Sequence, residues 1–382
     1  MGGMMRAFLG SCLLAACPAI AVAQADTPPQ VEESDVATLP ALTPHWAFIN
    51  TNWGDRGTRI IDGDSGKMLG LVHEADLSNF AADPLKRYYY IAETMWTKGN
   101  RGTRQDMVTV YDARTLKVVK EIKLPGRLLV GNRRHNLSIS ADGKTAYVYN
   151  MDPASTVISV DLVKGVAGKS AEVPGCGLSA AIGTSKALSL CADGSLALTD
   201  FAAGGKVARS DPFFNSENDP IFDNSPINTA TGKAALVSFS GMVYPVSAAD
   251  KPVVETPWSL QEAAGLAKVT EAPLVVSWLP GGSQPAALHY ATGRLYVLMH
   301  MGEYWSRKEG GEELWVLDFA SHKLLKRMKL EDPMTFVEVS QDAAPLLFLN
   351  NKGTLKVLDA LTLEEKQTVK DVGAGPLISV GL

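Results

Sequence analysis

The sequence lacks the short motifs that mark a cofactor site or a catalytic nucleophile. It has no Cys-x-x-Cys-His for covalent haem, no Gly-x-Gly-x-x-Gly after a strand, no Gly-x-Ser-x-Gly and no His-Glu-x-x-His. The 6 histidines, His45, His73, His135, His289, His300 and His322, show no metal-ligand spacing. His289 and His300 flank one hairpin and are candidates to approach each other, although hydrogen bonding explains such strand histidines as well. No catalytic residue and no metal ligand is therefore assigned to this chain. Basic charge is not in excess either: 36 Lys and Arg stand against 41 Asp and Glu, a net charge of −5, so the electrostatic footprint of a nucleic-acid binder is missing. Beyond the N-terminus no apolar run is long enough to span a bilayer.

At the N-terminus, Arg6 precedes an apolar run over residues 7–23 that ends in Ala23-Gln24-Ala25, the small-x-small pattern of a leader cleavage site. Residues 1–25 are read as a signal peptide, with a mature chain starting near Asp26 in the periplasm. A transmembrane helix is the competing reading, against which stand the short run, Pro18 and the polar residues 26–35. Leu14-Ala15-Ala16-Cys17 also resembles a lipoprotein box, which would place cleavage before Cys17.

Cysteine is scarce: of 4, Cys12 and Cys17 fall in the leader, leaving Cys176 and Cys191. In an oxidising compartment this pair is expected to form a disulfide, and closing a loop of about 15 residues contributes roughly 3 kcal/mol in the chain-entropy account. A redox-active pair is the alternative, but such cysteines usually sit two residues apart at a helix start.

What the chain does have is a repeat. Seven segments combine a β-rich run ending in Asp or a small polar residue, a turn rich in Gly, Thr, Ser or Lys, and a second β-rich run. Examples are TRIIDGDSGKMLGLV from Thr58, MVTVYDARTLKVVKEIKL from Met107 and ELWVLDFASHKLLKRMKL from Glu313. The turn Asp recurs as Asp62, Asp112, Asp161, Asp200, Asp318 and Asp359, with Ser247 in its place in the fifth unit. Asp suits a hairpin because its side chain bonds amides two residues on, so these aspartates are read as structural rather than catalytic. Before each hairpin lies an apolar or aromatic strand, such as HWAFIN from His45, RYYYIA from Arg87 and RLYVLMH from Arg294, read as the strand that lines a central channel. Together they predict an all-β, seven-bladed β-propeller over residues 43–382, behind an N-terminal extension at 26–42. The widest gap between hairpins marks an insertion, within which residues 261–268 are read as a short helix.

From Glu93 onward the chain resembles the heavy chains of methylamine and aromatic amine dehydrogenases. The resemblance rests on Arg101-Gly102-Thr103-Arg104-Gln105-Asp106, on Pro174-Gly175-Cys176 with Leu190-Cys191-Ala192-Asp193-Gly194-Ser195-Leu196, and on Asp219-Pro220-Ile221-Phe222. It continues through Pro280-Gly281-Gly282 and Ala291-Thr292-Gly293-Arg294-Leu295-Tyr296-Val297-Leu298-Met299-His300. It implies a complex of two heavy and two light chains that oxidises primary amines to aldehyde and ammonia. The cofactor would be tryptophan tryptophylquinone on the light chain, none on this chain, and a small blue copper protein would accept the electrons. The cysteine pair falls where the family's disulfide lies, and neither nucleic acid nor membrane is implied as a partner. Within this resemblance Trp53, on the loop between the first strand and the Thr58 hairpin, is expected to border the substrate channel. Packing on a neighbouring blade is its plainer alternative. The Tyr304-Trp305-Ser306-Arg307-Lys308 loop is individual to this sequence. The second functional reading is a free periplasmic propeller that binds a ligand or protein, or hydrolyses a small molecule.

Overall fold

Each hairpin is organised by its turn aspartate. Asp112 Oδ1 accepts from the backbone N–H groups of Arg114 and Thr115 at 3.0 and 2.8 Å, and Asp359 Oδ1 from those of Leu361 and Thr362 at 2.9 and 3.0 Å. Asp62, Asp161, Asp200 and Asp318 bond amides two or three residues on in the same way. These bonds satisfy amides that a tight turn removes from the ladder, and they hold the Asp112 and Asp359 carboxyls below their ordinary range. All six aspartates are thus structural. In the fifth unit Ser247 instead donates to Glu255.

The structure, a computed structural model, describes residues 38–51, 57–76, 78–128, 131, 133–269 and 275–380. The expected leader, most of the expected extension, and Trp53 lie outside the described residues. The hairpins form the outer parts of seven antiparallel sheets, the blades of a β-propeller. Blade 2 shows the plan: Ser78–Ala82, Tyr88–Trp96, Arg104–Asp112 and Val118–Leu124 pair in chain order from the axis outward. Blade 1 departs from it. Its strands Trp46–Thr51, Gly57–Asp62 and Lys67–Val72 receive their innermost partner, Leu377–Ile378, from the far end of the chain.

One expectation is corrected here. The apolar strands read as channel lining are the second strands of their blades, not the first. Most innermost strands are shorter and plainer, among them Leu137–Ile139, Ala286–His289 and Phe336–Val339, while Cys176–Ile182 in blade 4 is of ordinary length. The physical reason is burial on both faces: Trp46–Thr51 is buried at every position, so its bulky side chains pack between neighbouring blades rather than at the crowded axis. In blade 5 the innermost pairing shrinks to isolated bridges, Ile221 with Ser238 and Ile227 with Ala234.

Seven apolar clusters fill the seven seams between neighbouring blades. The seam that closes the ring joins Ala47, Ile49 and Ile61 of blade 1 to Leu346, Phe348 and Leu355 of blade 7, so every blade is clamped on both faces. On the rim of the same seam His45 bridges Asp64 and Asp342 at 2.8 and 3.0 Å.

Because the strands alternate in direction, the connections sort onto two faces. First-to-second and third-to-fourth turns, including all the aspartate turns, emerge on one face, the turn face. Second-to-third loops and the crossings between blades emerge on the other, the crossing face. In the long crossing before blade 6 the predicted helix is smaller than expected: it covers Leu260–Ala263, is capped by Ser259 Oγ and stops before Gly265, whose φ of +73° ends it. The rest of that insertion adds Ser277–Pro280 as an extra partner for Arg294–Gly302.

Candidate functional site

The axis is plugged by charge. Arg134, from a short 3₁₀ turn entering blade 3, pairs with Glu338 on the inner strand of blade 7 at 2.5 Å, and both side chains are buried. Gln284 Nε2 donates to Glu338 and to the carbonyls of Val337 and Leu377, while Gln284 Oε1 accepts from Leu377 N. Ser379 Oγ donates to Glu338. Burial pushes the Glu338 carboxyl above its ordinary range, opposed by Arg134. Next to Arg134, burial lowers the pKa of His135 to about 3, so its imidazole is neutral. This network ties the inner strands of blades 1 and 7 to the segments entering blades 3 and 6. Below it, on the turn face, a cavity of about 80 Å³ reaches Arg134 and Ser379.

Above the plug, on the crossing face, a depression of about 460 Å³ opens on the axis, walled by Phe222, Phe239, Asn224, Ser283, Arg307 and Lys308. Phe222 packs on Phe239 with centroids 4.7 Å apart, and the Arg307 guanidinium lies over Phe239 at 4.5 Å and near Trp305 at 5.8 Å. Arg133 and Asp223 pair at 2.5 Å on the rim. The glycines of Pro280-Gly281-Gly282 let two loops meet here. A Cβ on Gly281 would meet His300 Nδ1 at 2.3 Å and Glu309 O at 2.4 Å, and one on Gly282, at φ +100°, would meet Thr335 O at 2.5 Å. Apolar side chains stand exposed on the same face: Trp305 (59%), next to Arg307, and Met301, Trp96 and Met151 at strand ends.

At the seam of blades 1 and 2 the same face buries Glu74, which accepts from Asn50 Nδ2 at 2.7 Å, Thr58 Oγ1 at 2.5 Å and Ser78 Oγ. Burial, reinforced by Glu93, raises its pKa to about 7. A larger depression, about 760 Å³, lies off the axis between blades 4 and 5, walled by Phe213, Phe214 and Tyr244 with Asp193, Glu217 and Asp219. The axial depression differs from it in place, lying where segments of blades 3, 5 and 6 meet over the plug.

Of the residues singled out in the sequence, Trp53 cannot be placed, since it lies outside the described residues; Thr51 and Gly57, which flank its loop, end on the crossing face. Cys176 and Cys191 form a disulfide between directly opposed residues of the first two strands of blade 4. His289 and His300 do not approach each other. His289 pairs with Arg294 and bonds Thr292 and Asp342 O near the turn face, whereas His300 pairs with Leu279 and bonds Ser306 at the opposite end. Six strand residues separate their partners' levels, roughly 20 Å. Among the described residues no group of three or more His, Cys, Asp and Glu could hold a metal ion, and no helix is long and apolar enough to cross a membrane. Trp278 and Trp315 pack together around Arg327, and Trp46 is buried, so these tryptophans serve the core. The Arg134–Glu338 pair was not legible in the sequence, because its partners are far apart and neither sits in a local motif.

Among solved structures, the fold resembles the dihydro-heme d1 dehydrogenase NirN, with a TM-score of 0.50, 17% identity, and 90% of this chain and 77% of that one covered. It also resembles the Cps50 (Swd1) β-propeller domain of Myceliophteria thermophila, with a TM-score of 0.53, 10% identity, and 86% and 98% covered. At these identities the likeness shows the fold alone. In sequence, the chain is similar to the methylamine dehydrogenase heavy chain of Paracoccus versutus, 28% identical over 84% of this chain and 74% of that protein. It is likewise similar to that of Methylobacillus flagellatus, 28% identical over 91% and 85%. Residues 51–382 match the family description of the methylamine dehydrogenase heavy chain, and the chain belongs to that family.

Proposed function

We propose that this chain is the heavy subunit of a periplasmic amine dehydrogenase, assembled as two heavy and two light chains, that oxidatively deaminates primary amines to aldehyde and ammonia. The observation that carries the reading is the family match running from residue 51 to 382. In this reading the light chain holds tryptophan tryptophylquinone, which supplies the redox chemistry, and a small copper protein takes up the electrons. This chain contributes shape: the crossing face, with its axial depression and exposed Trp305, Met301 and Trp96, is the surface that receives the light chain. Residues 1–25 are the exporting leader, 26–42 the extension and 43–382 the propeller domain. Trp53 borders the route by which amines reach the quinone, in a loop whose flanking residues Thr51 and Gly57 end on that face.

Purification from the native host tests the reading: the chain should copurify with a small light chain absorbing in the visible, and amine-dependent dye reduction should require both. Dye reduction by the isolated heavy chain would overturn it. In the intact complex, Trp53→Ala should change the ratio of kcat/KM for small and bulky amines; an unchanged ratio would reduce Trp53 to packing.

A further inference from the structure

We infer that the axial depression of the crossing face is a carboxylate receptor, in which Arg307 takes an acidic side chain of the light chain. This rests on the heavy-subunit reading and deepens it.

The Arg307 guanidinium lies over the Phe239 ring at 4.5 Å and over the Trp305 ring at 5.8 Å, and it has no ion-pair partner among the described residues. Stacking fixes the plane of a guanidinium without using its N–H donors, leaving the fork that grips a carboxylate at two points. The loop carrying it is braced from below. Gly282 N donates to Arg307 O at 3.0 Å, Ser306 Oγ donates to Glu303 O at 2.6 Å, and His300 Nε2 meets Ser306 Oγ at 2.7 Å. Burial lowers the His300 pKa, which keeps the ring neutral at that contact. The receptor is thus largely formed before anything binds, which lowers the ordering cost of association.

Charge and surroundings select the occupant. Asp223, the one carboxylate lining the depression, is paired with Arg133, so Arg307 and Lys308 leave the lining with an excess of positive charge. The site therefore repels a free ammonium ion, which argues against the depression as the binding place of a simple amine substrate. Exposed Trp305 beside it supplies the apolar surround of a desolvated anchor in protein interfaces. An Asp or Glu carboxylate carried by the docking partner meets both demands.

The test is assembly of full-length heavy chain with its light chain. Wild type, Arg307→Lys, Arg307→Glu and Lys308→Glu are compared for dissociation constant at several salt concentrations, with circular dichroism as a check on folding. Arg307→Glu should weaken assembly on the order of 100-fold and flatten its salt dependence, whereas Arg307→Lys should weaken it less and keep the salt dependence, because it retains the charge and loses the fork. Folded Arg307→Glu that assembles as wild type, with the same salt dependence, overturns the proposal while leaving the subunit reading intact. Unchanged assembly with a selective loss of kcat/KM for amines bearing a carboxylate assigns the receptor to substrate and also overturns it. Wild type that does not assemble with a light chain overturns both.

Discussion

Glu74 is a carboxyl held where a charge is expensive. Its ordinary value is 4.5, and burial raises it to about 7. Below pH 4.5 it is protonated folded or unfolded; as pH rises to about 7 the unfolded chain releases a proton that the folded one keeps, so stability falls across that window and then levels off. Glu74→Gln keeps a group that can bond Asn50, Thr58 and Ser78 and removes the titration. It should match wild type at pH 4.5 and exceed it by about 1–3 kcal/mol at pH 8, as read from urea unfolding at the two pH values. The axial pair behaves differently. Glu338→Gln strands the buried Arg134 charge and should cost about 3–5 kcal/mol, whereas Arg134→Met combined with Glu338→Leu should cost less than either single change, since apolar packing can replace a buried ion pair. If the double variant is the least stable of the three by denaturant midpoint, the pair is doing more than compensating for its own burial.

At the level of elements, the hairpins were readable because each announces itself locally: an Asp, a tight turn and two β-rich runs, all within one stretch of chain. The disulfide was readable for a similar reason, since only two cysteines lie beyond residue 25. Converting Cys176 and Cys191 to Ser should lower stability by about 3 kcal/mol without changing the blade count, measurable as a lower urea midpoint with unaltered far-ultraviolet circular dichroism. The innermost strands were not readable. Leu137–Ile139 is only three residues long and blade 5 has no more than bridges there, so no local periodicity exists to detect. Their pairing is imposed by the ring. The mouth was half legible: the loop from Tyr304 to Lys308 stood out as individual, but the contact of Arg307 with Phe239 joins different blades and has no signature in either segment.

For the whole molecule, closure depends on the last strand. Leu377–Ile378 completes blade 1 by pairing with Phe48 and Ile49, and Leu377 is bonded on both sides by Gln284. Deleting residues 376–382 should open the ring at the blade 1 and 7 seam, giving a larger hydrodynamic radius and loss of near-ultraviolet circular dichroism; a compact, cooperatively melting product would show that the seam's apolar cluster suffices alone. The sorting of connections onto two faces has a practical side. Every aspartate turn points away from the mouth, and Val163, in the turn that follows Asp161, is 68% exposed. A cysteine placed there would anchor the chain to a gold surface with every mouth turned outward, so that binding to such a layer would report on one uniform orientation instead of an average over many.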